Sequence, residues 1–160
     1  MPTLDGATGG ASFSFHLLLL LSIGWAAIWW ITTLGLLIFK AFYLPFPPSA
    51  LPMEIIASFF VLLVNSFGVL IGLRGNKMEN GSTLVTSAVF LAIAAVGAIY
   101  YMWLQTYVLM LDLAFSATYL GINGFAVLFG LWATRNVVRL ARVPAFHLEI
   151  ERGRDQKKKS

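Results

Sequence analysis

Glu54 and Asp112 are the acidic side chains nearest the long apolar stretches of this chain. Two carboxylates at the edge of hydrocarbon could serve as proton or cation ligands, because ionisable groups inside a membrane are functional candidates by default. Both also fit the starts of membrane helices, where water and the positive end of the helix satisfy the charge. Midplane burial costs about 2.5–3.5 kcal/mol on insertion scales and neither position demands it, so we assign both to wet helix starts. Asn65 and Asn123 lie deeper. At about 1.5 Å per residue, counted from Glu54 and Leu113, both sit about 15 Å down. Two amides at one depth on different helices are expected to bond to each other, a contact of about 0.6–2 kcal/mol. A site for a small-molecule substrate needs more converging polar groups than these.

Other chemistry is thinly represented. His16 has no His, Asp or Glu at metal-ligand spacing and His147 has only the nearby Glu149 and Glu151, too few for a zinc site, so neither a metal nor another cofactor is expected. The sequence has no Cys, which excludes disulfides and thiolate catalysis. No HExxH, GxSxG, P-loop or dinucleotide fingerprint occurs, and the chain reads as non-enzymatic. Asn80-Gly81-Ser82 matches a glycosylation sequon, on the side of the membrane where it stays bare.

The elements that must position these residues are membrane helices. The chain is 59% hydrophobic and 11% charged over 160 residues. Four apolar runs, at residues 17–39, 53–73, 84–104 and 113–133, each meet the roughly 20 residues needed to cross about 30 Å of hydrocarbon. The expected fold is all-α, a four-helix transmembrane bundle over residues 17–133, after a short disordered lead (1–16) and before a basic juxtamembrane tail (134–160). Ten of the eleven Lys and Arg lie between the second and third runs or after the fourth. The positive-inside rule then places both termini in the cytoplasm. Lys40 alone falls opposite, where it is expected to snorkel to the headgroups. The net charge of +4 points to anionic membrane lipid rather than nucleic acid, because the basic residues flank membrane helices.

Within the helices, Gly68 with Gly72 and Ala117 with Gly121 form small-xxx-small pairs that let backbones approach, and we place both on interior faces. Arg135, Arg139 and Arg142 are spaced four and three apart and share a helix face suited to lipid headgroups. Pro144 is expected to stop that helix. The fourth helix begins at Leu113 or, longer and tilted, near Val108. The terminal Lys157-Lys158-Lys159-Ser160 resembles a dilysine retrieval signal of the endoplasmic reticulum, or is a solvated basic tail.

Three segments, FKAFYLPFP (39–47), IGLRGN (71–76) and YYMWLQTYVLMLDL (100–113), resemble the family of transmembrane proteins 216, 80 and 17. The resemblance runs from helix one through residue 113 and leaves out the lead and the tail. It implies a tetraspan with both termini cytoplasmic, resident in the ciliary transition zone. It further implies assembly with tectonic-type, meckelin-type and B9-domain proteins, and no catalysis. Gln105, Thr106 and Tyr107, in the most specific segment, are the expected partner contact at the outer surface. The family pattern tends to carry an acidic residue three before an Arg in helix two; here Asn65 and Gly68 stand there, so no partner site using that pair is carried over. A small transporter or channel subunit, or a retrieved endoplasmic-reticulum protein, are the alternatives.

Overall fold

A computed structural model describes residues 13–159, with side chains for 13–139. It has four long helices and, among the described residues, no strand: α1 (Phe13–Tyr43), α2 (Ala50–Lys77), α3 (Gly81–Ile99) and α4 (Met110–Lys159), with a π-helical turn, Tyr100–Leu104, continuing α3. Each helix contains a span long and apolar enough to cross a membrane. The helices form a ring in which α1 and α3 each pack on both α2 and α4. Short connections make sequence neighbours antiparallel. One end of the bundle carries Arg74, Lys77, Arg135 and Arg139, here called the basic end; the other carries Lys40, Glu54 and Asp112.

Two apolar clusters fill the interior. Phe15, Leu19, Val69, Leu84, Leu91 and Ala126 pack towards the basic end. Trp29, Val61, Ala94, Ala98, Tyr101 and Tyr119 pack in the other half. Trp29 stacks on Tyr119 at 5.0 Å and meets Tyr101 edge-on at 5.2 Å. Only 28–39% of each span is buried, while Ile31, Phe60, Leu70 and Leu128 are each about 60% exposed. Water would not tolerate such a surface; hydrocarbon does.

Glycine sets the spacing of α2 and α3. A Cβ on Gly72 would lie 2.5 Å from Ser87 Oγ, and one on Gly68 3.0 Å from Phe90 Cβ. Gly97 abuts Val61 in the same way from the α3 side. The second small-residue pair does not behave so. Ala117 and Gly121 are exposed, and nothing lies within 4 Å of a Cβ on Gly121. The interior stripe of α4 is instead Ser116, Tyr119, Asn123, Ala126, Gly130 and Ala133. Spacing by four puts two residues on one face without saying which face is inward.

Two boundaries differ from the sequence expectation, and a third, left open between Val108 and Leu113, falls at Met110. Helix α1 begins at Phe13, inside the expected lead, because Phe15 is fully buried in the cluster towards the basic end. Helix α4 runs past Pro144 to Lys159. Proline removes one helical hydrogen bond and bends the ladder, and the helix absorbs this. The α2–α3 loop is short because Glu79 takes the left-handed conformation (φ 51°) and Asn80 N–H donates to Gly75 O at 3.1 Å, a Schellman closure. Asn80 Oδ1 then caps α3 by accepting from Ser82 N–H and Thr83 N–H.

Candidate functional site

The polar residues gather at the end opposite the basic one. Lys40 Nζ donates to Asp112 Oδ2 at 2.5 Å, and both side chains are buried (0% and 1% exposed). This corrects the expectations that Lys40 reaches out to headgroups and that Asp112 faces water. The cause is helix geometry. Side chains lean towards the N-terminus of their own helix, so Lys40, late in α1, leans back into the bundle. Asp112, in the first turn of antiparallel α4, leans towards that helix's start and meets it. Asp112 Oδ2 also accepts from Leu109 N–H at 3.1 Å, so one carboxylate caps α4 and neutralises α1.

Glu54, expected at a wet helix start, is 1% exposed. Its Oε1 accepts from Thr106 N–H at 2.7 Å, and its backbone carbonyl accepts from the Tyr101 hydroxyl at 2.5 Å. Helix α2 thus grips the chain inside and just beyond the π turn, which closes with Gln105 N–H donating to Tyr100 O at 3.1 Å. Gln105 is turned inward and only 5% exposed, so it does not present its amide at the surface as expected. Thr106 is exposed, and Tyr107 is half-buried. The Tyr107 hydroxyl donates to Pro45 O at 2.8 Å, and its ring meets Phe46 edge-on at 5.2 Å. The α1–α2 and α3–α4 connections are therefore fastened together. Such a clamp fixes the shape of a surface; among the described residues no three His, Asp or Glu converge on a metal position.

Halfway along the bundle, Asn65 and Asn123 are both fully buried but meet through a third residue. Ser22 Oγ lies 2.7 Å from Asn123 Oδ1 and 3.3 Å from Asn65 Oδ1. A hydroxyl has one proton to donate. The shorter contact takes it, so the hydroxyl donates to Asn123 Oδ1 and rests against Asn65 Oδ1 at the longer distance. The expected direct amide–amide bond is replaced by a serine bridge joining α1, α2 and α4. The sequence does not single out Ser22, although it is the lone hydroxyl in the run LLLLLSIGWAAIWWI. Ser22→Ala, Asn65→Leu and Asn123→Leu should each destabilise by about 0.6–2 kcal/mol. In detergent unfolding, Ser22→Ala with Asn123→Leu should cost less than the two single changes added; full additivity would mean that the bridge does not form.

At the basic end Arg135 and Arg139 are exposed. The Arg142 side chain lies outside the described residues.

Residues 17–123 match the model of the Transmemb_17 family, described as a predicted membrane protein. Transmembrane protein 216 of Danio rerio is 28% identical over 109 residues, covering 68% of each chain. No solved structure matches.

Proposed function

The chain belongs to the Transmemb_17 family of membrane proteins, and from that premise we propose that it is a non-enzymatic structural subunit of a ciliary transition-zone membrane complex. In this role it supports cilium assembly and the barrier that keeps ciliary membrane composition distinct. Both termini and the basic end face the cytoplasm. The observation that carries the reading is where the resemblance falls in space. Segments 39–47 and 100–113 are far apart in sequence, yet Lys40–Asp112, Tyr107–Pro45 and Tyr107–Phe46 join them into one clamp. Around it Phe42, Tyr43, Trp103 and Met110 are each 67–83% exposed. Aromatic area of this kind, held rigid, is what a partner's membrane helices or outer segments can dock on.

Affinity purification of the tagged chain from ciliated cells should recover tectonic-type, meckelin-type or B9-domain proteins. Tyr107→Ala unlatches the two connections and should lower that recovery several-fold with membrane insertion unchanged. Gln105→Ala, changing a buried side chain, should act on stability first. Recovery of none of these proteins with a correctly inserted chain would remove the complex assignment.

A further inference from the structure

We infer that the outward face of α4 near the basic end holds one anionic phospholipid, its headgroup on Arg135 and Arg139 and an acyl chain along Leu128 and Trp132. Two open surface hollows lie on this part of α4. One, of about 340 Å³, is lined by Thr134, Arg135, Val138 and Arg139. The other, of about 330 Å³, is lined by Leu128, Phe129 and Trp132. Leu128, Trp132, Arg135 and Arg139 are spaced four, three and four apart, so they form one strip along the helix. At about 1.5 Å per residue that strip is about 16 Å long, with its apolar part in the span and its charged part at the mouth. A headgroup and the first part of an acyl chain have this length and this division of polarity.

The arginines are available for such a ligand. Among the described residues the one ion pair is Lys40–Asp112, at the far end, so Glu79 in the adjoining loop neutralises neither guanidinium. The Thr134 hydroxyl is spent on Gly130 O at 2.9 Å, leaving the arginines as the charged donors of the hollow. The start of α3 packs against two of the lining residues, since a Cβ on Gly81 would lie 3.2 Å from Val138 Cγ2 and 3.7 Å from Thr134 Cγ2. Its positive helix end adds to the attraction for a phosphate. Guanidinium forks bind phosphate oxygens in pairs. A soluble anion would leave the apolar part of the strip unused, although Leu128 and Trp132 are 62% and 55% exposed; the combination selects a lipid.

The test uses the full chain in phosphatidylcholine nanodiscs containing a minor fraction of phosphatidylserine or phosphatidylinositol bisphosphate, with retained anionic lipid counted by native mass spectrometry. The wild-type chain should retain one anionic lipid. Removing both charges as Arg135→Gln with Arg139→Gln should weaken retention about 25-fold, at about fivefold, or about 1 kcal/mol, per arginine. Arg135→Lys with Arg139→Lys should keep most of it, which separates lost charge from misfolding. Lys157→Gln with Lys158→Gln removes the same charge from the tail and should change retention less than threefold, while Trp132→Ala should weaken it with charge intact. Equal losses from the arginine and lysine pairs would mean diffuse attraction and overturn the site. Displacement of the lipid by soluble inositol phosphate at equal concentration would overturn the acyl-chain half.

Discussion

Asp112→Asn should leave the chain largely unfolded in detergent, because it strands the Lys40 ammonium in the interior without its counter-charge. Breaking a buried ion pair by removing one partner costs about 3–5 kcal/mol, a large part of the 5–15 kcal/mol typical of a whole domain. The loss is compounded because Asp112 Oδ2 also accepts the Leu109 N–H that begins α4. Lys40→Met should do comparable damage from the other side. The informative variant is Lys40→Met combined with Asp112→Leu, since replacing both charges by apolar groups of similar volume is often neutral. Thermal stability followed by size-exclusion of detergent-solubilised chain should therefore fall sharply for each single change and recover in the pair, short of the lost helix cap. Two single changes without effect would show that the pair is wet.

Gly72→Leu should be among the most damaging glycine substitutions in the bundle. Its Cβ would lie 2.5 Å from Ser87 Oγ and 2.9 Å from Leu19 Cδ1. Ser87 cannot step aside freely, because its hydroxyl donates to Gly68 O at 2.7 Å within the same contact. Overpacking of a tight interior costs about 1–3 kcal/mol, and loss of a buried hydrogen bond adds about 1 kcal/mol. Gly121→Leu is the matched control, since its Cβ meets nothing within 4 Å. A substitution away from packed features stays within about 0.5 kcal/mol. Equal losses at both positions, in detergent unfolding, would contradict the assignment of inward and outward faces.

These two cases mark where the sequence stops being legible. The four spans followed from apolar run length, and hydropathy needs no tertiary information. The placement of Lys40 did not follow, because snorkelling is the rule for a lysine at a span end and only the direction of the Cβ, with Asp112 on an antiparallel neighbour, reverses it. Ser22 was lost among leucines because a lone hydroxyl in an apolar run carries no partner signal until two amides are brought to it. Gly72 and Gly121 have the same local pattern, and the difference lies in which neighbour faces them. The π turn turns Gln105 inward, and no feature of Tyr100–Leu104 announces it. Gly68 lies 3.0 Å from Phe90 Cβ by its hypothetical Cβ, so the Arg expected there from the family pattern would require a wider α2–α3 spacing than this chain has.

The central claim, that this membrane bundle serves the ciliary transition zone, is tested most directly by where the intact protein resides. The measurement is fluorescence imaging of this chain, tagged ahead of Met1 so that Lys157, Lys158 and Lys159 stay untagged, against a transition-zone marker in ciliated cells. The account predicts a concentrated signal at the ciliary base that overlaps the marker. Uniform endoplasmic-reticulum staining with no enrichment there would contradict it, and would shift the reading to retrieval through Lys157, Lys158 and Lys159.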